Sequence, residues 1–156
     1  MKIITILGAR PQFIKAGSIS REIIKQQTNG VNIQEVIIHT GQHYDNKMSG
    51  TFFSDLEIQK PNYNLNVGPG THAEQTAKIM VSFEKVCHKI SPELIVVVGD
   101  VNSTMACTIV AKKLNIKVAH IEAGLRSNDR EMPEEINRLV TDSISDYFFV
   151  TENSGK

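Results

Sequence analysis

Five short apolar runs, set apart by helix-like segments, leave this chain few folds to adopt. They are Ile3-Ile4-Thr5-Ile6-Leu7 before Gly8, Val36-Ile37-Ile38-His39-Thr40 before Gly41, Leu94-Ile95-Val96-Val97-Val98 before Gly99, Val118-Ala119-His120-Ile121, and Tyr147-Phe148-Phe149-Val150. Continuous β-branched runs of this length read as strands buried on both faces, and Leu94–Val98 reads as the central one. Tyr147–Val150 is expected to be buried as well. Between them, Pro11 opens a helix with Ile14, Ile19, Ile23 and Ile24 on its apolar face, ended by Asn29-Gly30. A polar loop and a short helix near Lys47 to Phe53 come next, then an irregular stretch over residues 61–70. Thr71 with Glu74 has the capping-box pattern and starts a helix to about Ile90. Helices from Asn102 to Leu114 and from Pro133, with Ile136, Leu139, Val140 and Ile144 on one side, complete the alternation. Strand–helix alternation implies right-handed crossovers, hence an α/β fold with a mostly parallel sheet and helices on both faces. With no repeat and no linker, residues 1–156 form one domain.

Composition narrows the function. Lys plus Arg and Asp plus Glu are both 17, so the net charge is zero. That argues against broad binding to nucleic acid or to a membrane, while leaving room for a local anion site. With the first strand starting at Lys2, no signal peptide is expected, and no apolar run reaches the ~20 residues of a membrane helix. Cys87 and Cys107 lie in predicted helices without metal or disulfide spacing and read as reduced core residues, which points to the cytoplasm. After Val150 no further helix follows to cover the sheet, so a partner domain is expected to be missing.

In an open parallel sheet the ligand sits at the carboxyl ends of the strands. After the first strand, Gly8-Ala9-Arg10-Pro11 leads into a helix start that suits an anion, with Arg10 and Lys15 adding charge for a diphosphate; solvated surface cations are the alternative. This is neither the dinucleotide fingerprint G-x-G-x-x-G nor a P-loop. After the central strand, Asp100 or Asn102 caps the next helix, or Asp100 is a carboxylate held at the crevice. Glu122, just past the fourth strand and beside Ala123 and Gly124, reads as functional. Glu134 and Glu135 suit a helix first turn, and Glu134 can pair with Arg138 one turn on. His43, in Gly41-Gln42-His43-Tyr44-Asp45, stands at the ligand edge. His39, His72, His88 and His120 show no metal spacing and read as packing or hydrogen-bonding residues.

These segments together resemble one family. Gly8-Ala9-Arg10-Pro11 with Lys15, Thr40-Gly41-Gln42-His43, Gly99-Asp100 with Ser103-Thr104, His120 through Arg126, and Pro133 through Arg138 stand in the order found in non-hydrolysing UDP-N-acetylglucosamine 2-epimerases. The resemblance implies the N-terminal, Rossmann-like half of a glycosyltransferase-B-like two-domain fold, with the active site in the cleft between the halves. It implies interconversion of UDP-N-acetylglucosamine and UDP-N-acetylmannosamine, with no cofactor, by elimination of UDP to a 2-acetamidoglucal and re-addition. Carried over, Arg10, Lys15, Asp100 and Glu122 contact substrate, Asp100, Glu122 and Glu134 are the important carboxylates, and Arg138 supports Glu134. UDP-N-acetylglucosamine is the implied partner, and the full-length enzyme is expected to be a homodimer. The isolated chain, holding one wall of the cleft, is expected to be inactive.

Gly68-Pro69-Gly70-Thr71-His72 departs from the basic and amide residues of substrate-activated bacterial members. The departure speaks against a substrate-activation site and leaves room for a modified UDP-sugar, such as a diacetamido uronic acid. Three rivals stand beside the epimerase reading. A hydrolysing relative shares these motifs; a non-catalytic sugar-nucleotide module would not need three acids; an NAD-dependent oxidoreductase would need the missing glycines.

Overall fold

Each apolar run becomes a strand of one parallel sheet. The computed structural model describes residues 1–41 and 59–151. In chain order these give β1 (Lys2–Leu7), α1 (Arg10–Thr28), β2 (Gln34–His39), β3 (Tyr63–Asn64), α2 (His72–Ile90), β4 (Leu94–Val98), α3 (Asn102–Lys113), β5 (Lys117–Ile121), α4 (Pro133–Ile144) and β6 (Tyr147–Phe149). The strand order is β3-β2-β1-β4-β5-β6, every pairing parallel. The chain steps outward from β1, returns to β4 beside it, and steps outward the other way. That reversal opens a crevice at the carboxyl ends of β1 and β4. The strand ends finish flush, because the Thr40, Gly99 and Glu122 N–H groups donate to Leu7, Ile121 and Phe149 carbonyls at 2.9, 2.9 and 3.0 Å.

Alternate strand residues divide the core between two faces. Ile4, Ile6, Ile38, Ile95 and Val97 pack with Phe83 of α2 and Cys107 of α3. Leu7, Ile37 and Val98 meet Phe13 and Ala16 of α1 on the opposite face, with Ile3, Ile23 and Val96 beyond them. Phe13 and Phe83 are fully buried, and truncating either to alanine would cost about 3–5 kcal/mol. Burial pushes the Cys87 thiol up to about 12 and raises that of Cys107 too, so both stay protonated and inert. Thr71 and Glu74 exchange the expected cap bonds at the start of α2. Among the described residues no helix is long and apolar enough to cross a membrane.

Several sequence expectations change in the folded chain. The buried stripe of α1 is Gln12, Phe13, Ala16, Gly17, Ser20 and Ile23, while Ile14 is 57% and Ile24 37% exposed. The small residues let the helix approach the sheet closely, and that phase turns Ile14 outward. Residues 61–70 are not wholly irregular, since Tyr63 and Asn64 form the short edge strand β3. In α4 the buried residues are polar, Glu135, Asn137 and Thr141, with Ile136 43% exposed. The polar side fits because Asn137 and Arg138 bond to Asp100 in the turn after β4 and Glu135 accepts the Ser127 and Asn128 N–H groups. Strand β6 is exposed, not buried: Tyr147, Phe148 and Phe149 are 52%, 50% and 57% accessible at the sheet edge. The short helix expected near Lys47 to Phe53 lies outside the described residues.

Candidate active site at the carboxyl edge of the sheet

The turn after β1 is built by a side chain rather than by a glycine motif. The Gln12 carbonyl oxygen accepts the Gly8 and Ala9 N–H groups at 2.6 and 3.0 Å. Its amide nitrogen donates to the Val98 carbonyl at 2.5 Å, tying the start of α1 to the end of β4. Arg10, exposed, is the first residue of α1, and Pro11 follows where no helical N–H partner is required. Lys15, nearly one helical turn beyond Gln12, reaches across the crevice and forms an ion pair with Glu122.

Glu122 occupies an uncommon backbone position. Its φ is +68°, in the left-handed region that costs a non-glycine residue roughly 1–2 kcal/mol. The conformation is held on both sides: Glu122 and Ala123 N–H donate to Phe149 O at 3.0 and 3.2 Å, and Gly124 N–H donates to Asp142 at 3.0 Å. The Glu122 carboxylate then comes over the turn after β4. Gly99 also has φ +68°, and a Cβ there would meet Glu122 Oε2 at 3.5 Å.

Asp100 follows Gly99. It does not cap α3, whose N-cap is Val101 with no side-chain bond. One Asp100 oxygen instead accepts Arg138 Nε and Nη2 at 3.0 and 2.5 Å, while its carbonyl accepts Asn137 at 2.8 Å. Asn102, the other cap candidate, donates to Gln75 at 2.8 Å and lies 3.1 Å from His72 Nδ1. Burial of Arg138, which alone would lower its pKa, is outweighed by Glu135 and Asp100, and the guanidinium is held more firmly charged.

The two neighbouring glutamates of α4 have opposite roles from those expected. Arg138 pairs with Glu135 at 2.9 Å, not with Glu134. Glu135 is 2% exposed and accepts Ser127 and Asn128 N–H at 2.9 and 3.3 Å. The Ser127 backbone bond leads in holding its pKa down to about 2. Glu134 is half-buried and makes no hydrogen bond or ion pair among the described residues, so its carboxylate is open to a ligand. The fold thus brings Lys15, Asp100, Glu122 and Arg138 together, with Arg10 and Glu134 on elements that start at the same edge. His43 lies outside the described residues.

Sequence reasoning missed Gln12 and Asn137, and read His120 as a packing or hydrogen-bonding residue without finding its partner Asp142. For Gln12 a signal existed, an amide at the third helical position after a glycine turn. For His120 and Asp142, 22 residues apart, none did; their rings and carboxylate meet at 2.6 Å only after β5 and α4 pack.

A family model described as UDP-N-acetylglucosamine 2-epimerase matches residues 25–156. The UDP-N-acetylglucosamine 2-epimerase of Methanocaldococcus jannaschii is 51% identical over the whole chain, which spans 41% of that protein. The UDP-2,3-diacetamido-2,3-dideoxy-D-glucuronate 2-epimerase of Pseudomonas aeruginosa is 52% identical over 96% of the chain and 41% of its own length. The crystal structure of the M. jannaschii enzyme in complex with UDP-GlcNAc and UDP superposes with a TM-score of 0.91 at 50% identity, covering 99% of this chain and 41% of that one. The chain therefore spans about two fifths of the length of the relatives it matches. Identity over the chain's full length, a matching fold, and acids and cations gathered at the sheet's carboxyl edge agree, and the chain belongs to the UDP-N-acetylglucosamine 2-epimerase family.

Proposed function

We propose that the protein carrying this chain interconverts UDP-N-acetylglucosamine and UDP-N-acetylmannosamine, and that this chain supplies one wall of the active-site cleft. The observation that supports the reading is that Asp100 and Glu122 follow neighbouring strands at one sheet edge, Glu122 paired with Lys15 and Asp100 with Arg138. Removing the weakly acidic C2 proton while the anomeric C–O bond breaks requires a placed carboxylate, and returning a proton on the other face requires another acid. Asp100, Glu122 and Glu134 supply three such groups, and Arg10 and Lys15 supply charge for the departing diphosphate. Lys15 rests on Glu122 here; an arriving diphosphate competes for it and frees the carboxylate for proton transfer. Arg138 acts on Asp100 and Glu135 rather than Glu134. His43 is proposed to contact substrate.

The remaining three fifths of the relatives' length would supply the other wall and the uridine pocket. The full-length protein is proposed to be a cytoplasmic homodimer. A second reading, epimerisation of a diacetamido uronic acid UDP-sugar, is favoured by the 52% identity to the P. aeruginosa enzyme.

The test is incubation of the full-length protein with each UDP-sugar in deuterated water, following C2 deuterium and the 2-epimer by NMR. Deuterium at C2 with interconversion of both UDP-sugars supports the reading. Release of free N-acetylmannosamine would replace it with hydrolysis, and no exchange with either sugar would overturn it.

A further inference from the structure

His120 sits on β5 with no accessible surface, and both ring nitrogens face acceptors. Nε2 is 2.8 Å from the Gly99 carbonyl oxygen, and Nδ1 is 2.6 Å from Asp142 Oδ1. A carbonyl has no proton to give, so Nε2 must donate. The Asp142 side also accepts the Gly124 N–H at 3.0 Å and pairs with Arg126 at 2.6 Å. With the Arg126 guanidinium and the Gly124 N–H both on its Oδ2, Asp142 is held as a carboxylate independently of the histidine. Nδ1 then donates as well.

We infer that His120 is a buried imidazolium whose pairing with Asp142 joins the turn carrying Asp100 to the turn carrying Glu122, making both positioning residues for the two carboxylates. The geometry has a physical reason to exist. Gly99, through its carbonyl, precedes Asp100; Gly124, through its N–H, follows the strained Glu122 by two residues. A neutral histidine could hold one of these partners as donor, and only the doubly protonated ring holds both. The charged groups facing the ring are Asp142 from α4 and, behind it, Arg126 from the loop after β5; the turn after β4 presents the Gly99 carbonyl. Asp142 thereby offsets the burial of the cation, as a buried charge requires.

The positioning role rests on the epimerase reading, whereas the charge state does not. The first experiment therefore uses this 156-residue chain. Nitrogen-15 NMR of the histidine rings at pH 7 should show both His120 nitrogens bonded to protons in the wild type, and one of them unprotonated in Asp142→Asn. A single protonated nitrogen in the wild type overturns the inference whether or not any variant folds. The second uses the full-length protein: Asp142→Asn should lower kcat roughly ten- to a hundredfold, as small misplacement of reacting groups does, with KM nearly unchanged. An unchanged kcat beside a lowered Tm makes the pair merely structural and overturns the positioning role. Lack of activity in the wild type removes the epimerase reading and leaves the NMR result standing.

Discussion

Arg138 places two nitrogens on one oxygen of Asp100, at 3.0 and 2.5 Å, and turns its third toward Glu135 at 2.9 Å. One side chain thus joins the turn after the central strand to the first turn of α4. A lysine has a single ammonium on a flexible stem and cannot hold both carboxylates in this fork. Arg138→Lys in the full-length protein is expected to lower kcat by about tenfold or more, with Asp100 free to swing. Normal turnover in that variant would show that the fork does not position Asp100.

The adjacent glutamates should separate by measurement. Glu134→Gln alters an open carboxylate, so its stability should stay within about 0.5 kcal/mol while turnover falls. Glu135→Gln puts an amide donor where Ser127, Asn128 and Arg138 already donate, so the Tm should fall clearly. Thermal denaturation of both variants beside turnover decides it, and equal Tm values would contradict the assignment.

Glu122→Gln keeps size and backbone but removes the proton-transfer group. C2 exchange should drop on the order of 10² or more with Tm nearly unchanged. Retained exchange would leave Glu122 a structural residue paired with Lys15.

Two glycines should respond unequally to alanine. Both need a positive φ, +68° at Gly99 and +83° at Gly41, costing roughly 1–2 kcal/mol each. A Cβ at Gly99 meets side-chain ends alone, Glu122 Oε2 at 3.5 Å and Gln12 Nε2 at 4.0 Å, whereas at Gly41 it meets the Val67 backbone nitrogen at 2.8 Å. Gly41→Ala should therefore lose more stability, and Gly99→Ala should lose activity first. Unfolding midpoints in the reverse order would refute the packing account.

Acid should unfold the chain through two carboxylates. Glu135 is lowered from 4.5 to about 2, led by the Ser127 backbone bond. Asp146 is lowered from 3.8 to about 2, its burial outweighed by Lys112, the Val118 N–H and Lys117. A depressed folded pKa means stability is present above the unfolded value and lost as pH falls toward the folded one. Denaturation midpoints should fall between about pH 4.5 and 2, and Asp146→Asn should flatten part of that slope.

The exposed edge strand has a consequence for the chain by itself. Tyr147, Phe148, Phe149 and Val150 present an apolar, unpaired edge of the kind that associates. Light scattering should show concentration-dependent association of the 156-residue protein, reduced by Phe149→Ser. A strictly monomeric chain at high concentration would contradict this.

Local sequence determined the elements. Aliphatic runs such as Leu94–Val98 can only be buried strands, and the Thr71–Glu74 cap is complete within four residues. Alternation then required parallel crossovers, so Lys15, Asp100 and Glu122 were legible as edge residues. Tertiary structure decided what each side chain touches. Glu134 and Glu135 look alike in sequence, but the phase of α4 over the turn after β4 buries one and opens the other. The choice of Asp100 over Glu134 by Arg138, the meeting of His120 with Asp142, and the left-handed Glu122 all depend on groups brought together from separate elements. A helix i, i+4 pair is worth only ~0.2–0.5 kcal/mol, so a better-buried partner across the fold takes the arginine.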